Sequence, residues 1–338
     1  MVKDSADIDT KHPVSTFEPH RWLRNAHMMT VAGALLPRRT PGLRRAEDRL
    51  FEVEPGTQLL ARCHWQGEPR RSATLALVHG LEGSSESPYM RGLAAWAFCA
   101  GFNVLRINQR NCGGTERLTA TLYNSGLSAD FRAVLLELVE RDRLEQIFFA
   151  GYSMGGNLVL KMAGELGTAA PRELRGVCAV GPTLDLAACV DAIARPENRF
   201  YQWHFVRQLK LRMRRKAKLF PGQFELDGMS RVRTLREFDE AITAPHCGYR
   251  NAADYYQQAS ALRAAQRIAV PTLILTSKDD PVVPYESFEA RELAGNPQIQ
   301  IVATEHGGHC SFISRSMGPE RYWAEARILE FCKAHAQE

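Results

Sequence analysis

A serine between glycines, two adjacent aspartates before a proline, and two histidines three apart are the residues of this chain that could do chemistry together. The serine lies in Gln146-Ile-Phe-Phe-Ala-Gly-Tyr-Ser-Met-Gly-Gly-Asn-Leu-Val-Leu-Lys161. The stretch begins as a short apolar run with the β-branched and aromatic content of a buried strand. It breaks at Gly151-Tyr152-Ser153-Met154-Gly155 and resumes with Leu158, Val159 and Met162 on one helical face. A strand turning sharply into a helix around G-x-S-x-G is a nucleophile elbow. Ser153 must then sit at a strained backbone angle, so Gly151 and Gly155 have to leave room for tight packing. The strain holds the hydroxyl clear of the sheet, at a helix N-terminus whose N–H groups favour negative charge. A Gly-rich strand-to-helix loop of no chemical consequence can carry the same five letters. The strand and helix on the correct sides favour the elbow.

A serine hydroxyl is a poor nucleophile at neutral pH. A general base must take its proton, and an acid must orient that base. In open parallel sheets such sites lie beyond the carboxyl ends of the strands. After an elbow the partners follow in the order Ser, Asp or Glu, His. Ser277-Lys278-Asp279-Asp280-Pro281 follows a strand candidate immediately. Backbone physics does not choose between its two acids, since either can be a solvated turn residue. Glu305-His306-Gly307-Gly308-His309 follows the last strand candidate and offers two histidines. A loop histidine is usually a surface residue; the position after the terminal strand makes one of this pair a candidate base. Glu305, His306, His309 and Cys310 lack the regular spacing of zinc ligands, so no metal is expected. Oxyanion stabilisation needs a backbone N–H after the nucleophile and another from an earlier loop. Met154 supplies the first. Leu81, in His79-Gly80-Leu81-Glu82-Gly83 at the end of a strand, supplies the second.

Positioning these groups requires a parallel sheet. Strand candidates occur at 74–79, 102–108, 147–152, 177–181, 272–276 and 298–303, with helical stretches at 88–100, 128–141 and 154–166. Buried strands alternating with helices predict an α/β fold, mostly parallel and covered on both faces. A hairpin across Glu54-Pro55-Gly56 adds antiparallel strands at one edge. Residues 1–43 read as an N-terminal arm, with Trp22, Leu23, Met28, Met29 and Leu35 packed on the core. The core comprises 44–182 and 267–338. The rhythm stops over 183–266, far longer than a connection of ~4–6 residues, and helical patterns at 198–220 and 229–242 predict a helical cap.

The 338 residues, 45% hydrophobic, suit one α/β unit with an insertion, and the net charge of +5 does not imply nucleic acid. The eight cysteines form no C-x-x-C pair, and Cys99 and Cys178 lie in apolar runs where buried reduced thiols are the default. With no secretory pattern at the start and no run approaching a bilayer span of ~20 residues, a cytoplasmic protein is expected.

The chain resembles the α/β-hydrolase superfamily, and within it the YheT-like esterases, relatives of the mammalian α/β-hydrolase-domain lipases. The markers run from the arm to the last helix. They are Leu23-Arg-Asn-Ala-His27, His79-Gly-Leu-Glu-Gly83, Asn111-Cys-Gly-Gly114, Gly151-Tyr-Ser-Met-Gly-Gly156, Phe238-Asp-Glu-Ala-Ile-Thr-Ala-Pro245, Asp254-Tyr-Tyr256, Asp279-Asp-Pro281 and Gly307-Gly-His309. The resemblance implies that the acid is Asp280, directly before the proline, and that the base is His309, closing Gly-Gly-His. Asp279, His306 and His79 become candidates for supporting contacts. One departure is Arg110-Asn111, where such families often carry Arg-Gly before Cys-Gly-Gly; it bears on the shape of that loop. Some mammalian relatives carry an H-x4-D acyltransferase motif, and no histidine here has Asp five positions on.

The expected activity is hydrolysis of carboxylic esters, with short- to medium-chain or lipid-like acyl groups. Ser153 attacks, His309 relays the proton, Asp280 holds the imidazole, and no cofactor takes part. Thioester, lactone or C–C bond chemistry on the same triad is the rival reading, since fold does not fix function. A non-catalytic interaction protein is the remote one. In the cap, Phe200, Trp203, Val206, Leu209 and Met213 recur at helical spacing opposite Arg207, Lys210, Arg214, Arg215 and Lys218. A helix packed on the core with a solvated basic face is the plainer interpretation. A basic amphipathic lid touching anionic lipid is the sharper one. No nucleic-acid-binding module appears.

Overall fold

Apolar runs flanked by turn residues build the sheet that carries the site. The computed structural model describes residues 15–43, 45–224 and 226–336. Among these, eight strands form one sheet: β1 (Glu47–Glu54), β2 (Thr57–His64), β3 (Thr74–Val78), β4 (Asn103–Ile107), β5 (Ile147–Tyr152), β6 (Leu174–Val180), β7 (Thr272–Ser277) and β8 (Ile299–Thr304). Their order is β1-β2-β4-β3-β5-β6-β7-β8. The hairpin β1–β2 joins antiparallel to β4, and every other pairing is parallel.

Side-chain alternation along the central strands feeds two cores, one on each face. Phe149 shares a core with Phe131 and Val134 of α3 (Ser128–Glu140) and Leu158 of α4 (Met154–Leu166), whereas its neighbour Phe148 shares the other with Met90 and Leu93 of α2 (Pro88–Cys99) and Ile328 of the C-terminal helix (Trp323–His335). Because β3, β4, β5 and β7 are buried along their whole length, their carboxyl ends can only be reached through the loops above them. Cys178 is buried as expected; Cys99 is exposed, because it ends α2 on the solvent side.

Two expectations need correction. The N-terminal arm contains a helix, α1 (Ala26–Leu35), and only its Met29 side is packed, against Ile313 and Tyr322. Trp22, Met28 and Leu35 are exposed rather than packed. Residues 1–14 of that arm lie outside the described residues. Between β6 and β7 the chain forms α5 (Leu186–Ile193) and α6 (Arg199–Leu219), then shorter helices including Ala252–Ala259. The helix expected from Met229 begins instead at Leu235. Thr234 accepts from the Glu237 N–H at 3.1 Å while the Glu237 carboxylate accepts from the Thr234 N–H at 3.2 Å, and this capping box sets the start.

Candidate active site

The end of β5 and the start of α4 meet at Ser153, whose φ of 54° and ψ of −119° are strained for a residue with a Cβ. Its N–H donates to the Val180 carbonyl at 2.8 Å, and its own carbonyl accepts from Asn157 at 3.0 Å. A Cβ on Gly151 would collide with the Gly155 carbonyl, and one on Gly155 with the carbonyls of Val78 and His79. The helix therefore starts hard against the sheet, as the glycine spacing predicts.

Asp280 follows β7 and His309 follows β8. Ser277 ties the two loops by donating its hydroxyl to the Gly308 carbonyl at 2.9 Å. His309 Nδ1 lies 2.8 Å from Asp280 Oδ2, and Nε2 lies 2.8 Å from Ser153 Oγ. An ionised carboxylate can only accept, so the Nδ1 proton points at Asp280 and, when the ring is neutral, the Nε2 lone pair faces the serine hydroxyl. The other oxygen, Oδ1, accepts from the backbone of Val282 and Val283 at 2.7 and 3.0 Å. Burial, the largest influence, disfavours a charged His309, but Asp280 and Cys310 together outweigh it and raise the imidazole pKa well above its usual value.

The second acid and second histidine sit beside this chain of contacts. His306 Nδ1 is 3.2 Å from Asp279 Oδ2, and the other Asp279 oxygen accepts from the Gly308 N–H at 2.9 Å. Asp279 therefore braces the loop that carries His309, and neither Asp279 nor His306 contacts Ser153. His79 is fully buried beneath the loop after β3. Its Nδ1 donates to the Gly80 carbonyl at 2.8 Å and Nε2 accepts from Gln109 at 3.1 Å. Burial pushes its pKa down to about 4, so it is neutral. Gly80 faces Ser153 closely enough that an added Cβ would touch it. Leu81 and Met154 line the same cavity as Ser153. That cavity runs under α5 and α6 between mostly apolar side chains, including Leu186, Val190, Phe238 and Tyr255.

Sequence reading missed three supports. Thr30 of α1 accepts from the His309 N–H at 2.8 Å. Tyr89 accepts from the Gly80 N–H at 3.1 Å. Arg212 of α6 reaches down to Glu82 with contacts of 3.0 and 2.9 Å, donates to the Asn111 carbonyl, and lies over the Tyr123 ring. Glu82 has a φ of 56°, so the loop beyond Gly80 is held in a left-handed turn by this pair. Helical phase would have found Arg212: it shares the inward face with Leu209 and Met213, and a buried guanidinium needs acceptors for its charge. Thr30 and Tyr89 carried no such signal. The Asn111 departure also resolves. Its φ is 64°, a region Gly occupies freely and Asn tolerates better than other residues, so the turn survives.

The family description "alpha/beta hydrolase fold" matches residues 73–316. The chain is 32% identical to the Escherichia coli protein "Putative esterase YheT", over 95% of this chain and 94% of that one. It is 28% identical to the Mus musculus protein "Phospholipase ABHD3", over 71% of this chain and 58% of that one. It superposes on the Pyrococcus furiosus esterase Pf2001 with a TM-score of 0.56 and 16% identity, covering 88% and 98% of the two chains. At that identity the likeness is one of fold.

Proposed function

The chain belongs to the α/β-hydrolase family and, within it, to the YheT-like esterases, and from that membership we propose that it cleaves carboxylic esters through an acyl-enzyme on Ser153. The observation that carries the reading is the unbroken line from Ser153 Oγ through the His309 imidazole to Asp280, with both contacts at 2.8 Å. As Oγ attacks the acyl carbon, His309 Nε2 takes its proton and Asp280 stabilises the imidazolium. The developing oxyanion is received by the backbone N–H groups of Leu81 and Met154, in a pocket with few competing dipoles. His309 then protonates the leaving alcohol, and water releases the acid by the same steps reversed. In this reading residues 183–266 are a cap on a core of 44–182 and 267–338, and the apolar cavity beneath it takes the acyl chain.

Ser153→Ala is expected to lower turnover of p-nitrophenyl esters by ~10⁴–10⁶ and to abolish fluorophosphonate labelling. Retained turnover in a clean preparation would place the chemistry elsewhere. Each methylene that enters the cavity adds ~0.8 kcal/mol of binding. Across a series of p-nitrophenyl esters, kcat/KM should rise with acyl length until the cavity is full. A maximum at acetate would contradict an acyl role for the cavity.

A further inference from the structure

The apolar stripe of α6 divides in two. Val206, Leu209 and Met213 are buried, whereas Phe200 and Trp203, one turn earlier, are each 58% exposed. On α1 the order expected of a packed helix is reversed: Met28, Val31 and Leu35 recur at helical spacing on a face turned to solvent, with Trp22 just ahead. Seven of the nine exposed large apolar side chains among the described residues fall within 22–36 and 200–203. The two segments are neighbours, because His27 stacks on Tyr201 with ring centroids 5.7 Å apart and a 3.2 Å contact to its hydroxyl. Scattered exposed apolar residues need no explanation; a concentration of this kind does.

Beside Trp203, a groove is lined by Arg199, Arg207, Lys210, Arg214 and Arg233, with no acidic side chain in its wall. Neighbouring cations of the same region are spent on carboxylates, Arg212 on Glu82, Arg215 on Glu116 and Arg236 on Asp191. The five groove cations make no ion pair among the described residues. Lys210 donates to the Val232 carbonyl and Arg233 to the Ser230 carbonyl. The guanidinium groups of Arg199, Arg207 and Arg214 are left to a ligand, with Arg207 near the Trp203 ring at 5.9 Å.

We propose that α1 and the first turns of α6 form a docking face for an anionic lipid surface, the aromatic and aliphatic side chains entering the interface while the groove takes phosphate headgroups. Interfacial segments of this type pair an apolar face with Lys and Arg and sort by lipid charge. A second copy of the chain is a poorer occupant. A two-fold contact would set the same unpaired cations against each other, whereas an anionic bilayer neutralises them. The inner side of α1 holds His309 through Thr30, so a docked surface lies one helix away from Ser153. This inference concerns binding and stands apart from the ester reading, whose test is turnover by Ser153.

The test is co-sedimentation of the whole protein with phosphatidylcholine vesicles, with and without phosphatidylglycerol, followed also by tryptophan fluorescence. Binding to the anionic vesicles, a blue shift and weakening by salt are expected. Each cation near the surface is worth about fivefold in affinity, so Arg207→Gln with Arg214→Gln should lose about 25-fold. Phe200→Ser with Trp203→Ser should abolish the Trp203 share of the shift. Both pairs should keep wild-type turnover of p-nitrophenyl acetate, showing an intact fold. Equal affinity for neutral and anionic vesicles, no binding to either, or undiminished binding by both pairs overturns the proposal. A dimer in sedimentation velocity that Phe200→Ser with Trp203→Ser dissociates would assign the face to self-association and overturn it as well.

Discussion

At the scale of single residues, the site is organised by which atoms can only accept protons and which can only donate. The Asp280 carboxylate is buried, saturated on one oxygen by two backbone N–H groups, and free on the other to face an imidazole. That arrangement fixes the ring orientation and stabilises its charged form. In the proposed mechanism His309 works as a base only when neutral, so its raised pKa means that kcat/KM falls as pH drops through that pKa. The half-point should lie above the ordinary imidazole value of ~6.5. Asp280→Asn should move the half-point down and cut turnover by ~10⁴, because an amide can hold the wrong tautomer. A pH profile of both proteins decides this; a half-point at or below the ordinary value in the parent would contradict it. The elbow, both acids and both histidines were legible from residue type and spacing. Choosing Asp280 and His309 within each pair required the family resemblance, since adjacent loop residues differ only in the direction of their side chains.

At the scale of elements, the loop after β3 is held from below and from above. His79 and Tyr89 fix Gly80 from the core side. Arg212 on α6 pins Glu82 from the other, and both side chains of that pair are nearly inaccessible, at 6% and 7%. Breaking a buried ion pair leaves an uncompensated charge, at a cost of ~3–5 kcal/mol. Arg212→Met should therefore lower stability by about that amount in denaturant titration. With the Leu81 N–H acting on the transition state, as proposed, it should also reduce kcat more than KM. Adding Glu82→Gln removes the orphaned charge and should recover part of the stability, giving a non-additive double-mutant cycle. Strictly additive losses would show that the two side chains do not act as a pair. Strands and helices of the sheet were readable because burial on both faces leaves a long apolar run. The contact between α6 and the loop was not, because it joins residues 130 positions apart.

At the scale of the whole molecule, burying polar groups under α5, α6 and the turns that follow has a price in pH dependence. Asp239 sits in that region, where burial outweighs the hydrogen bonds from Thr243 and Tyr256 and raises its pKa from 3.8 to about 6. Between these values the folded protein keeps a proton that the unfolded chain has released, so this group lowers stability as pH rises through the window and leaves a constant penalty above about 6. Asp239→Asn should gain thermal stability relative to the parent as pH rises through that window. A constant difference between the two midpoints would show that Asp239 does not titrate there. The sequence by itself determined the parallel sheet, the elbow and the loops that carry Asp280 and His309, because local periodicity and turn chemistry are written in neighbouring residues. Only the tertiary structure decided that α1 braces the His309 loop, that a cation of α6 holds the loop after β3, and that aromatic side chains face solvent beside a basic groove. Each of these depends on which remote surface a helix meets, and helical spacing gives the stripe without saying what lies against it.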